Sequence, residues 1–409
     1  MPWSEASIFD MRIQNQACAW HPDRGYLVNN MKYLTKFGNR TMQPRRKSLA
    51  SALLCATAAV VLQVGYAPLL IAQSGGDPIS GLVNAAAVAL NPSTGKVYTV
   101  DTDGNAVDVT DDATGSTVPV KVGAGPVSVA VDTSNGRAYV ASAGDGTVSV
   151  IDGKTDTVLA TLKVGSHPYS IAADSAAGKV YLSRTYSNEL TVIDAATDAI
   201  SGVKTGSPDL IAVNAKTHTV YLLGYEGGDL TVLDGVALTF QKTTVGMHAW
   251  GMALNETSGT LYVTRPGYAE VAVLQAGSLT PTRIPTGQIP CSVAVNSNTN
   301  QVYVANYADD SITVIDGTTS KAVATIPVGR RPQSVTVDLR FNLVYVANTL
   351  GNSVTVIDGG DNRVLATVNA GHAPYALAIH SASGKLHVAN EDKTSFTVLD
   401  VSRFQKSSR

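Results

Sequence analysis

The feature that most constrains this chain is an internal repeat of 40 to 42 residues, which runs to the C terminus. A period in this range marks an array of identical structural units, so it decides the architecture before any single motif does. Each unit carries a tyrosine within a β-branched run, a glycine and an aspartate at constant spacing. The positions are Tyr98, Tyr139, Tyr181, Tyr221, Tyr262, Tyr303 and Tyr345, with His387 in the eighth place; Gly81, Gly123, Gly165, Gly206, Gly246, Gly287, Gly329 and Gly371; and Asp111, Asp152, Asp194, Asp234, Asp316, Asp358 and Asp400, with Gln275 in the fifth place.

Each unit divides into four short runs rich in β-branched residues, which predict four strands, A to D. In the seventh unit these runs are 334–338, 343–348, 353–358 and 364–369. Between A and B lies a turn such as Asp132 to Gly136, where the Asp side chain can bond the backbone and the glycine takes a positive φ. Between C and D, pairs such as Asp152-Gly153 predict a hairpin turn.

Four antiparallel strands per unit, repeated around an axis, predict an all-β, eight-bladed β-propeller, with a seven-bladed ring as the alternative. A solenoid fits less well because no distinct capping repeat is present. The chain ends just after the eighth strand C. We therefore expect residues 74–80, which stand where other units have strand D, to complete the last blade and close the ring.

Tyr-Val-Ala-Asn at 303–306 and 345–348, and Val-Ile-Asp-Gly at 150–153 and 314–317, resemble the strands of the YVTN family of β-propeller repeat proteins. The resemblance covers residues 75–402. It implies a propeller, and because members usually have seven blades it is also the source of the seven-bladed alternative. It implies no single reaction, since the family is defined by its repeat.

Residues 1–73 are expected to be a leader rather than part of the propeller, which would then be one domain, 74–409. Arg45, Arg46 and Lys47 precede an apolar stretch at 48–72, typical of a signal peptide, with an uncleaved membrane anchor as the alternative. This predicts a periplasmic, secreted or envelope-bound protein. Without 1–73 the chain has 22 basic and 29 acidic residues, a formal net charge of −7, and Cys291 as its one cysteine, so no internal disulfide can form.

Standard catalytic and cofactor signatures are absent from the sequence, so no cofactor is expected and candidate residues must come from positions that depart from the repeat. In a propeller the D-to-A and B-to-C loops share one face, here called the D–A/B–C face. The departures fall in these loops and are paired in the third and fifth units. The candidates are His167, Tyr169 and Arg184; His248, Trp250 and Arg265; Arg330 and Arg331; and His372 and Tyr375.

Four arginines and three histidines on one face of an acidic protein predict a local positive field that attracts an anion, with the aromatic side chains as an apolar wall. No metal site is expected; His167, His248 and His372 are the alternative ligand set. His218 and His380 fall in A-to-B turns on the opposite face, where we expect them to be solvated.

The sequence thus favours a non-enzymatic binding protein that recognises a small anionic molecule or a protein partner on the D–A/B–C face. One alternative is a metal-assisted lyase or lactonase at the same face. Another is a surface-layer or adhesive module. Nucleic acid is not an expected partner because the net charge is negative, and membrane contact is expected only through an uncleaved N-terminal anchor.

Overall fold

The computed structural model describes residues 88–225, 227–390 and 396–405, and it confirms the all-β, eight-bladed propeller. Within these residues the chain forms eight antiparallel sheets and no α-helix. Three short 3₁₀ turns lie at Pro266–Tyr268, Thr349–Gly351 and Ser402–Phe404. The predicted strands of the seventh unit agree with the observed ones to within two residues at each end.

Strands follow one another within each sheet in the order A, B, C, D. The first four blades are Val88–Asn91, Lys96–Asp101, Ala106–Asp111 and Thr117–Lys121; Pro126–Asp132, Arg137–Ser142, Thr147–Asp152 and Thr157–Lys163; Pro168–Asp174, Lys179–Arg184, Leu190–Asp194 and Ile200–Val203; and Leu210–Asn214, Thr219–Leu223, Asp229–Asp234 and Phe240–Thr244. The last four are Met252–Asn255, Thr260–Arg265, Glu270–Leu274 and Thr282–Pro285; Pro290–Asn296, Gln301–Asn306, Ser311–Asp316 and Lys321–Pro327; Pro332–Asp338, Leu343–Asn348, Ser353–Asp358 and Arg363–Asn369; and Pro374–His380, Lys385–Asn390 and Phe396–Asp400.

The blades form a closed ring because each strand A packs against strand A of the next blade, and strand A of blade 8 packs against that of blade 1. At this last junction Val88 and Leu90 share a buried apolar cluster with Ala376 and Ala378. Strands A are buried along almost their whole length, whereas strands D are mostly exposed. Strand A therefore lines the axis and strand D the outer rim.

The strand B tyrosines form the packing between blades. All seven are buried, and Tyr98, Tyr181 and Tyr262 reach the C-to-D turn of the next blade. A Cβ on Gly153 would lie 2.9 Å from Oη of Tyr98, and Tyr181 Oη donates a hydrogen bond to the carbonyl of Gly235 at 3.0 Å. Burying a large apolar side chain contributes about 2–3 kcal/mol, so the repeated tyrosine stabilises each junction.

The predicted roles of the turn residues hold for the A-to-B turn. Asp132 Oδ1 accepts the N–H of Ser134 at 2.9 Å, and Gly136 has a φ of +72°. The C-to-D turn differs from the expected tight Asp-Gly hairpin. Asp156, not Gly153, has a positive φ, and its N–H donates to the carbonyl of Asp152 at 2.9 Å. A side chain at Gly153 would clash first with the Gly136 carbonyl in the A-to-B turn of the same blade, and also with Asn91 and Tyr98 of the preceding blade.

Blade 8 has three strands within the described residues. Val398 on its strand C is 42% exposed, whereas Val150 and Val314 at the equivalent positions are fully buried beneath a strand D. The expected closing segment 74–80 and the expected leader 1–73 both lie outside the described residues. In the part of the chain that is described, no helix has the length and apolarity needed to cross a membrane.

Candidate functional site

Loops of the D–A/B–C face are joined by hydrogen bonds from D-to-A backbone to B-to-C carboxylates. The N–H of Ala124 donates to Asp145 Oδ2 at 2.9 Å, and the N–H of Gln288 donates to Asp309 Oδ2 at 2.7 Å. The N–H of Arg331, in the loop that leads into blade 7, donates to Asp310 Oδ1 in the B-to-C loop of blade 6 at 2.7 Å. The two loop sets therefore lie together on one face, and several of its acidic side chains are engaged by backbone N–H groups.

In blade 3 the D-to-A loop places His167 at the surface with a φ of +55°, beside Tyr186 of the B-to-C loop. The two rings lie edge to face with centroids 6.5 Å apart, and Tyr186 is 90% exposed. Arg184 lies against Gly165, where a Cβ would meet its guanidinium. Its Nη2 forms an ion pair with Glu189 Oε2 at 3.1 Å.

Blade 5 repeats this arrangement. His248 has a φ of +61° and stacks on Tyr268, with ring centroids 6.1 Å apart. The guanidinium carbon of Arg265 lies 4.1 Å from the centroid of the same Tyr268 ring. Arg265 also forms an ion pair with Glu270, and its Nε donates to the carbonyl of Met247 at 3.3 Å.

The sequence analysis did not identify the side chains that contact the histidine and arginine of each blade. These are Tyr186 and Glu189 in blade 3 and Tyr268 and Glu270 in blade 5. A signal was available, because each glutamate stands five residues after the departing arginine. These carboxylates balance the charges of Arg184 and Arg265, so both arginines offer less positive charge to a ligand than the sequence alone implied.

Blade 5 has one further cationic side chain beside Arg265 and Glu270, that of Arg283. Arg283 Nε lies 3.3 Å from Glu270 Oε1, so two guanidinium groups share one carboxylate. Burial and the charge of Arg265 lower the pKa of Arg283, although Glu270 acts in the opposite direction. The blade 5 group therefore keeps an excess of positive charge, whereas the single Arg184–Glu189 pair of blade 3 is neutral.

Between these two groups lies an aromatic wall of Tyr169, Tyr225 and Trp250, one residue from each of blades 3, 4 and 5. Tyr169 Oη donates to Tyr225 Oη at 3.2 Å, and their ring centroids are 6.2 Å apart. Tyr225 lies 6.3 Å from Trp250 between ring centroids, and its N–H donates to Asp209 Oδ2 at 2.8 Å. Burial raises the pKa of both tyrosines, so their phenols stay neutral and act as hydrogen-bond donors.

Tyr225 was not predicted because it stands one position beyond the place where blades 3 and 5 have arginine. Only the fold shows that Tyr225 contacts Tyr169 of blade 3 and Trp250, which stands just before strand A of blade 5. Trp250 and Tyr169 also pack against the apolar clusters of the adjoining blades, which fixes the wall in place.

The remaining candidates lie elsewhere on the face. Arg330 and His372 are exposed, in the loops that lead into blades 7 and 8. Arg331 lies over the ring of Tyr307, 5.1 Å from its centroid, and Tyr375 packs into the cluster between blades 8 and 1. Because blade 7 is opposite blade 3 in a ring of eight, the ten candidates form two groups rather than one site.

No group of three or more His, Cys, Asp or Glu side chains within the described ranges is arranged to hold a metal ion. The alternative ligand set His167, His248 and His372 is therefore not brought together. The expectation that His218 and His380 are solvated was wrong for His380, whose side chain is 18% exposed, whereas His218 is 33% exposed and is also paired. His218 Nδ1 lies 2.9 Å from Asp174 Oδ2, and His380 pairs with Asp112, because each A-to-B turn packs against a carboxylate of a neighbouring blade.

No family model matches this sequence, and no curated protein matches it. Solved structures do resemble the fold. Kuenenia stuttgartiensis hydrazine synthase has a TM-score of 0.54 and 18% identity, over 69% of this chain and 98% of that one. The dihydro-heme d1 dehydrogenase NirN, in complex with DHE, has a TM-score of 0.58 and 14% identity, over 78% of this chain and 77% of that one. Saccharomyces cerevisiae Sqt1 has a TM-score of 0.64 and 11% identity, over 81% of this chain and 99% of that one. At these identities the similarity shows a β-propeller fold and no more.

Proposed function

We propose that this chain is a non-enzymatic binding propeller of the YVTN repeat type that works outside the cytoplasm. In this proposal it recognises a small anionic ligand on the D–A/B–C face at blades 3 to 5. The observation that carries the proposal is the paired arrangement of His, Tyr, Arg and Glu in blades 3 and 5 on either side of the aromatic wall.

The geometry supports recognition more than a structural role. In both blades an arginine held by a glutamate lies in the same loop pair as an exposed imidazole and phenol, as expected for a preorganised site. The ion pairs fix the positions of the His167 and His248 loops, which lowers the entropy cost of binding. Imidazole N–H groups and neutral phenols can donate hydrogen bonds to an anion. Arg265 and Arg283, which share the Glu270 carboxylate, add a positive electrostatic field that attracts it.

Work outside the cytoplasm rests on the basic-then-apolar sequence of residues 45–72. Fractionation of cells that express the full chain tests it. Recovery of the propeller in the cytoplasmic fraction would contradict this part of the proposal without affecting the binding site.

A thermal-shift screen of carboxylates, phosphates and sulfates, with and without an aromatic ring, tests the ligand. A ligand that binds only the folded state stabilises it by about 2.7 kcal/mol at 100 times its Kd. We expect a ligand with both an anionic group and a ring to give the largest shift. The absence of a shift from every class in the screen would contradict the proposal.

Variants then locate the site. The double change His167→Ala and His248→Ala is expected to weaken binding at least about tenfold, equivalent to about 1.4 kcal/mol. His372→Ala is the matched control, because His372 is an exposed histidine on the same face outside blades 3 to 5. Equal effects of both changes would show that the ligand is held elsewhere or by the face as a whole.

A protein partner is a second candidate, favoured by exposed apolar side chains on the same loops. Tyr186, Met247, Tyr268 and Ile289 are 41% to 90% exposed, and tyrosine and methionine are enriched in interfaces. Cross-linking in an envelope extract compares the wild type with Tyr186→Ser. Val236→Ser is the control, because Val236 is 67% exposed in a C-to-D turn on the opposite face. Loss of one specific cross-link with Tyr186→Ser alone would favour this second candidate.

A further inference from the structure

The seam between blade 8 and blade 1 is closed by a buried ionisable cluster. Asp112, in the C-to-D turn of blade 1, accepts from His387 Nε2 at 3.0 Å and from His380 Nδ1. Lys385 Nζ donates to the carbonyl of Asp112. The side chains of Asp112 and His387 are each about 1% exposed, and that of His380 is 18% exposed.

This cluster replaces the pair that closes other seams. At three other seams a strand B tyrosine meets a glycine just after strand C, as Tyr98 meets Gly153 and Tyr262 meets Gly317. At the seams of Tyr139, Tyr221 and Tyr345 the equivalent position holds Ala195, Ala276 and Val401, all apolar. At the last seam His387 stands for the tyrosine and Asp112 for the glycine. The two changes are complementary, because the smaller imidazole leaves room for a carboxylate and supplies it with a donor.

Histidine is the side chain whose charge normally changes between about pH 5 and 8, whereas a buried phenol stays neutral throughout that range. One carboxylate can balance one imidazolium. From blade 8 the cluster faces His380, His387 and Lys385, with Asp400 interacting with Lys385; from blade 1 it faces the Asp112 carboxylate. A proton added to His387 would therefore place a positive charge in a buried site, beside Lys385 and on a carboxylate that His380 also contacts.

We propose that the blade 8–blade 1 seam is a pH-sensitive closure of the ring, which is tight at neutral pH and loosens in mild acid while the tyrosine seams remain closed. A second cross-blade His–Asp pair among the described residues, His218 with Asp174, differs because the His218 side chain is 33% exposed and can be hydrated when charged.

The direction in which pH changes the stability of the seam follows from the protonation of His387 and Asp112. Burial lowers the pKa of His387 below its ordinary 6.5, and the Asp112 partner offsets this only in part. The opened seam then binds a proton more readily than the closed one, so stability present above about pH 6.5 is lost as the pH falls below it. Burial opposes ionisation of Asp112, but hydrogen bonds from Ser383, His380 and His387 outweigh it and hold its pKa below 3.8. Its contribution is therefore lost only in stronger acid.

Hydrogen-exchange mass spectrometry of the full chain at about pH 7.5 and about pH 5.5 tests the proposal, with labelling times scaled for intrinsic exchange. Each proton taken up on opening changes the opening equilibrium by about tenfold per pH unit. We expect the opening of peptides from Pro374–Asn390 and residues 106–121 to rise about tenfold in acid. Peptides at the Tyr262–Gly317 seam are the internal control and should change little.

The double variant His387→Tyr with Asp112→Gly installs the tyrosine–glycine pair and should remove the acid response of the seam. His218→Gln is the matched control and should leave that response intact. An equal acid response at both seams of the wild type would overturn the proposal, as would an unchanged response in the double variant. The wild-type comparison decides the matter even if the double variant does not fold.

Discussion

Replacing Arg265 with alanine is expected to destabilise the fold by about 2–4 kcal/mol, although Arg265 lies at the proposed binding site. Its side chain is 9% exposed and holds three contacts: an ion pair with Glu270, a hydrogen bond to the Met247 carbonyl and the face of Tyr268. A hydrogen bond to a charged group contributes about 1.5–3 kcal/mol, and a cation–π contact about 0.5–1 kcal/mol. Arg283 remains near Glu270 and limits the total cost.

Urea unfolding measures this cost, and Arg363→Ala is the matched control. The Arg363 side chain is 68% exposed, and its Nε lies 3.4 Å from Oδ2 of Asp361, which is also exposed. Exposed ion pairs of this kind contribute about 0–1 kcal/mol, so the control should unfold close to the wild-type midpoint. Equal midpoints for the two variants would refute the structural role of Arg265. A loss of ligand binding at unchanged stability would then show that its guanidinium serves the ligand directly.

Two further predictions concern the core and the ring. Burial raises the pKa of the Cys291 thiol to about 12, so in a chain that begins at residue 74, where it is the one cysteine, it should not react with a disulfide reagent at about pH 8 until the protein unfolds. Rapid labelling of that chain in its native state would contradict the burial of Cys291. A chain that begins at residue 81 should melt below one that begins at residue 74, because strand Phe396–Asp400 would lose its expected partner and about four ladder hydrogen bonds of about 1 kcal/mol each. Identical melting temperatures would mean that residues 74–80 do not cover Val398.

The propeller could be predicted from the sequence because the same local pattern of strands and turns occurs in all eight units. Asp132 and Gly136 specify their turn through a side-chain hydrogen bond and a positive φ, which are properties of neighbouring residues. The role of Gly153 could not be predicted in the same way. A side chain there would meet the Gly136 carbonyl of the same blade and Tyr98 of the preceding blade, 55 positions earlier in the chain, and only the fold brings these groups together.

The site was predictable in part for the same physical reason. His167, Arg184, His248 and Arg265 depart from the repeat and could be found by comparing units. Their partners could not be identified from the sequence alone, since a glutamate five residues after an arginine meets it only if the B-to-C loop folds back. Tyr225 shows the limit most clearly, because its place in the aromatic wall depends on the positions of three blades at once.

Departures from a repeat are most informative when two of them compensate each other. A single change at a repeated core position costs packing energy, because every junction is built around the same side chains. A second change that restores the fit shows that the new pair is specified. His387 with Asp112 meets this criterion across a seam, and Arg184 with Glu189 and Arg265 with Glu270 meet it within loops. His372 is exposed on the loop that leads into blade 8, outside these compensated groups, and is for that reason the appropriate control for the histidines of blades 3 and 5.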